Sequence, residues 1–151
     1  MDIQQNKQLV MRGYQMFQDG NIDGLLQLFS DDIEWLGYQT EYVPFSRDYH
    51  GKQDVAGFFS ELNATQEADR FEPQELIAEG DRVIVLGTAE WIIRATGKQY
   101  GYPWVHAFTI RDGKIARFQQ YYDSAVTQAA FMPMDMASAM GAGSRATPPL
   151  H

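Results

Sequence analysis

Up to Thr65 the hydrophobic positions recur with helical spacing, and beyond it they alternate as strands do. Val10, Gly13, Tyr14 and Phe17 form one helical stripe, preceded by Asp2 and Gln5 in a capping-box pattern and ended by Gly20-Asn21. Asn21 is placed to cap a second, short helix striped by Ile22, Leu25, Leu26 and Phe29. Ser30-Asp31-Asp32 reads as a turn into a short strand, Ile33 to Leu36. Val55, Phe58, Phe59 and Leu62 predict a third helix.

The second half predicts four long strands. Phe71 to Glu79 comes first, with Pro73 near its start, where an edge strand tolerates a missing donor. Arg82 to Arg94 follows, rich in β-branched residues and interrupted only by Gly87, then Tyr100 to Ile110. Asp112-Gly113 between Ile110 and Ile115 is a hairpin signal, and Lys114 to Tyr122 completes an antiparallel meander. Helices first and a meander afterwards predict an α+β fold, a curved antiparallel sheet (a cone) packed against N-terminal helices. Residues 1–131 read as this cone domain. Residues 132–151 read as a Met-rich extension and tail, with Ala125 to Met140 as a candidate terminal helix.

The formal charge of −8 comes without a basic cluster, which argues against nucleic acid and against an anionic membrane surface. No apolar run approaches the ~20 residues that span a bilayer, and no leader is visible, so a cytoplasmic protein is expected. The chain has no cysteine, and His50, His106 and His151 are too far apart in sequence for a ligand spacing, so no metal site is expected. Gly141-Ala142-Gly143-Ser144-Arg145-Ala146 has the letters of a dinucleotide fingerprint. It follows Met-rich sequence and precedes prolines, where no strand and helix frame it, so no cofactor is expected.

Asp31-Asp32-Ile33-Glu34-Trp35, Tyr49-His50-Gly51-Lys52 and Ala78-Glu79-Gly80-Asp81-Arg82-Val83 are familiar in this order. So is the run from Thr96-Gly97-Lys98 through Pro103-Trp104-Val105-His106 and Arg111-Asp112-Gly113-Lys114-Ile115 to Tyr121-Tyr122-Asp123. Over roughly residues 5–130 the chain resembles the SnoaL-like branch of the nuclear-transport-factor-2-like (cystatin-like cone) superfamily. The resemblance implies a pocket between sheet and helices, a homodimer, and kinship with polyketide cyclases, ketosteroid isomerases and limonene epoxide hydrolases. Gln120 stands where cyclases and epoxide hydrolases carry an essential Asp, and an amide cannot act as a base. Ala89, Trp91, Trp35 and Gly37 stand at about the remaining epoxide-hydrolase positions, so that chemistry is not expected. Gly37 also falls near the isomerase base, Gly13 near its first-helix Tyr with Tyr14 adjacent, and His106 at its proton-donating Asp. His106 matches the His of the cyclases.

Period-two alternation puts Trp104, His106, Phe108 and Ile110 on one side of their strand, and Phe118, Gln120 and Tyr122 on one side of the next. Facing inward with Trp35 and Trp91, they would line a pocket for a flat or polycyclic apolar ligand with one or two polar atoms. His106 and Gln120 are the candidate catalytic pair. Trp35, Trp91, Trp104, Phe108, Phe118, Tyr122 and Tyr14 are the candidate ligand contacts, Tyr14 at the rim. Three readings follow. In the first, a cyclase- or isomerase-type enzyme uses a neutral His106 to move a proton beside a carbonyl, with Gln120 or Tyr122 orienting it. In the second, a non-catalytic binder carries an apolar small molecule. In the third, a filled cone serves as a scaffold or accessory subunit, and His106 is a satisfied core residue. The nearly continuous apolar run Val83 to Ile93 predicts burial on both faces, hence a homodimer through the outer sheet face.

Overall fold

A computed structural model describes residues 2–133. Helix α1, Ile3–Gln18, starts at a complete capping box: the Gln5 amide donates to Asp2 Oδ1 at 2.8 Å, and the Asp2 amide donates to Gln5 Oε1 at 3.0 Å. Asn21 caps α2, Ile22–Gln27, by accepting from the Gly24 amide. Helix α3, Gly51–Thr65, buries Val55, Phe58, Phe59 and Leu62, its apolar stripe. Helix α4, Ser124–Phe131, is capped by Asp123. It ends at Phe131 with extended backbone at its C-cap, Met132, short of the expected run to Met140; residues 134–140 and the Gly141–Ala146 run lie outside the described residues.

Six strands form one curved, open sheet: β1 Phe29–Leu36, β2 Tyr49–His50, β3 Gln66–Glu79, β4 Arg82–Ile93, β5 Gln99–Arg111 and β6 Lys114–Tyr122. Their order is β2-β1-β6-β5-β4-β3. Strands β3 to β6 form the antiparallel meander, while β1 lies parallel to β6, so the sheet is mixed. Asp112 and Gly113 both take positive φ, 53° and 74°, the primed turn that matches strand twist and fixes the β5–β6 register.

Two boundaries differ from the sequence reading. Strand β1 begins at Phe29, so Asp31 and Asp32 are exposed strand residues at a register irregularity against β6 and do not form a turn. Strand β3 begins at Gln66, directly at the C-terminus of α3, so Pro73 sits in mid-strand. It is tolerated there because β3 is the sheet edge and the register shifts between Pro73 and Glu75.

Helix α1 packs on β3 and β4, α3 on β1, and α4 on β5. Strand β4 buries alternate residues, Val83, Val85, Gly87, Ala89, Trp91 and Ile93, and leaves Ile84, Leu86 and Ile92 half-exposed on its other face. Gly87 is there for space, since its φ is not positive. A Cβ at this position would collide with Trp104 Cζ2 and with the Glu72 carbonyl oxygen, so the missing side chain lets the Trp104 indole lie across β4. Among the described residues no helix is long and apolar enough to cross a membrane.

Candidate functional site

Between the helices and the sheet lies a partly open cavity of about 90 Å³. Strand β5 brings Trp104, His106 and Phe108 to it, and β6 brings Tyr122, Gln120 and Phe118, each directly opposite its β5 counterpart. Trp35 from β1 stacks on Phe118 with ring centroids 3.9 Å apart, Trp91 enters from β4, and Tyr14 from α1. All nine side chains singled out in the sequence therefore face one cavity.

His106 is 8% exposed and lies between rings: Trp104 stacks on it at 3.9 Å, and Phe118 meets it edge-on at 4.8 Å. Burial lowers its pKa to about 3, so the imidazole is neutral at pH 7. Its Nδ1 partner is the Tyr14 hydroxyl, 2.7 Å away. Gln120, although opposite in register, makes no hydrogen bond to it. Tyr14 is not at the rim. The buried face of α1 carries it inside, where desolvation holds the phenol well above its ordinary pKa.

The tautomer follows from counting partners. The Tyr14 hydroxyl has no other acceptor among the described residues, so it donates to Nδ1 and the imidazole proton resides on Nε2. The opposite assignment would leave both the phenol proton and the Nε2 lone pair unpaired. His106 thus faces the cavity as a hydrogen-bond donor.

Two of the three tryptophans add donors. Trp91 Nε1 donates to the Tyr102 hydroxyl at 2.9 Å, whereas Trp35 Nε1 and Trp104 Nε1 are buried without a partner among the described residues. Among the described residues no Asp, Glu, Lys or Arg lines the cavity, and Tyr102 and Tyr122 are kept neutral, their pKa raised by burial. No cluster of His, Asp and Glu suited to a metal occurs among the described residues. At Gly37, near the position of the isomerase base, a Cβ would stand 2.6 Å from the Arg47 carbonyl oxygen, so the loop leaves no room for a carboxylate there.

The sequence reading did not find Gln66, Phe71 or Tyr102 in the wall. Gln66 and Phe71 lie where a loop and a strand start were expected. A β3 that springs directly from α3 turns that segment into wall, and only the pairing of Gln66 with Ile93 reveals it. Tyr102 belongs to the same alternation as Trp104 and was legible there.

The SnoaL-like domain family matches residues 10–118. In structure the chain is similar to a nuclear-transport-factor-2-like protein of Burkholderia xenovorans, at 29% identity and a TM-score of 0.79, over 87% of this chain and 99% of the other. A protein of the same type and unknown function from Burkholderia pseudomallei shares 23% identity and the fold, with a TM-score of 0.78 over 88% of this chain and all of the other. TerC, co-crystallised with polyporic acid, shares 26% identity with a TM-score of 0.76, over 84% of this chain and 98% of its own. No curated protein matches the chain in sequence.

Proposed function

Because the chain belongs to the SnoaL-like domain family, we propose that it takes a small apolar carbonyl compound into the cavity. The carbonyl oxygen is held by His106 Nε2–H and by the indole N–H groups of Trp104 and Trp35. One observation carries this reading: among the described residues, unpartnered donors stand in a wall of aromatic rings that holds no charged side chain. A buried donor without a partner costs about 1–3 kcal/mol, so a ligand that brings an acceptor offsets a cost the empty fold bears. Uncharged ligands are favoured, since no described residue of the wall compensates an ion. The co-crystallisation of TerC with polyporic acid supports a small-molecule ligand in a cone of this type.

The test is titration with acetophenone, one ring and one carbonyl, followed by tryptophan fluorescence, alongside native mass spectrometry of the protein as purified. Saturable quenching is expected, weakened about tenfold in His106→Phe, which removes the donor and keeps a ring. Quenching that never saturates, or an unchanged affinity in the variant, overturns the reading.

A second reading, cyclase- or isomerase-type proton transfer, is favoured by one feature: among the described residues His106 is the only imidazole in the wall. Acting as a base requires the other tautomer, in which Nδ1–H donates to the Tyr14 hydroxyl and Nε2 takes the proton. With a conjugate-acid pKa of about 3 that base is weak at pH 7, so this chemistry suits only a strongly acidic C–H, as in a 1,3-diketone. Hydrogen–deuterium exchange at that carbon above the buffer rate, abolished in His106→Gln with binding retained, is the expected signature. Binding without exchange leaves a binder or carrier.

A further inference from the structure

The inner cavity is too small to hold the whole of a polycyclic ligand. Its volume of about 90 Å³ is of the order of the ~150 Å³ that takes up a single benzene ring, and well below the ~300–1,000 Å³ usual for larger ligands. Beside it lies an open cleft of about 690 Å³ between α2, α3 and the first half of β3. The two spaces share six lining residues: Phe17, Phe59, Leu62, Gln66, Phe71 and Trp91. Five are apolar or aromatic, and Gln66 is the exception.

Gln66 is 2% exposed. The Tyr100 hydroxyl, which has no other acceptor among the described residues, donates to Gln66 Oε1 and fixes the orientation of the amide. The side-chain NH2 is left buried with no partner among the described residues, on a side chain that lines both spaces. A core that needed only to be filled would favour an apolar residue here, because an unpaired amide costs what a hydrogen bond to it would recover. Further out the cleft turns polar. Arg70 is paired with Glu72, and Arg94 is bonded to the Asn63 carbonyl, both in exposed positions.

We propose that the ligand is bipartite: a ring-and-carbonyl head in the inner cavity, then a second uncharged acceptor (an ester, amide or ketone oxygen) bonded by the Gln66 NH2 at the throat, with the remainder lying in the outer cleft. This rests on the inner-cavity reading above and extends it to a second subsite with Gln66 as a specificity-determining residue.

The probes are methyl ω-benzoylalkanoates of increasing chain length, each paired with the alkyl phenyl ketone of equal length, plus acetophenone. For at least one ester, Gln66→Met should weaken binding about five- to tenfold, while the matching ketone and acetophenone stay within about twofold. In the unaltered protein, the Gln66 side-chain NH2 resonances should move with that ester and not with acetophenone, a readout that does not depend on the variant folding. If acetophenone binds but no ester is distinguished from its ketone, or the Gln66 resonances stay still, the second subsite is wrong and the inner-cavity reading stands. If acetophenone does not bind, both fall.

Discussion

His106 shows what a fold does to one residue. The imidazole is ordinary in sequence, but stacking on Trp104, edge contact with Phe118 and a bond to Tyr14 leave little water to stabilise its cation. Its folded pKa of about 3 lies below the ordinary 6.5. Between those values the unfolded chain takes up a proton that the native state refuses. The native state is therefore favoured fully above about pH 6.5 and progressively loses that advantage as pH falls toward 3, by about 1.4 kcal/mol per pH unit in mid-range. Urea denaturation between pH 7.5 and 4.5 should show this slope reduced by about one proton in His106→Gln. An identical slope in the variant would mean that the imidazole is hydrated in the native state.

Among the elements, β4 and β3 decide the shape of the wall. Gly87 on β4 gives the Trp104 indole its place, and Trp104 in turn stacks on Phe71 of β3 with centroids 5.0 Å apart. Gly87→Ala should destabilise the fold by about 1–3 kcal/mol through overpacking, and should weaken acetophenone binding because the indole is pushed from its seat. Denaturation midpoints and the same fluorescence titration check this. A destabilised variant with unchanged affinity would show that the position of Trp104 does not matter to the ligand. The sequence showed Gly87 only as a break in a strand, because a close approach between strands is a property of their pairing.

For the whole molecule, the outer sheet face bears on assembly. Ile77, Ile84 and Ala107 form one row across β3, β4 and β5, and Leu86, Val105 and Tyr121 form the next across β4, β5 and β6. Ile77 and Tyr121 are each 50% exposed, and Ile84, Leu86 and Val105 are half-buried. No helix of the described chain covers this face, and we propose that a second copy does, in a closed two-fold pair. Light scattering should give twice 17.2 kDa. Leu86→Glu should return the monomer, since it puts a charge in the centre of the patch. A monomer in the unaltered protein at micromolar concentration would contradict the pairing.

The four long strands, the helical stripes, both N-terminal caps and the inward side of β5 and β6 were legible in the sequence. Each rests on a period or on a turn chemistry that acts over a few residues, such as the positive φ at Asp112-Gly113. Once that turn fixes the register, His106 opposite Gln120 follows by counting. What lies between elements was not legible. That Tyr14 rather than Gln120 holds Nδ1 depends on how α1 settles across β3 and β4, and helix docking is set by the fit of many side chains, which no spacing encodes. That Gln66 ends a helix, begins an edge strand and stands between two cavities depends on pairing with a strand nearly thirty residues away. The sequence determined which residues face inward. Tertiary packing decided which of them meet, which is neutral and which donor is left without a partner.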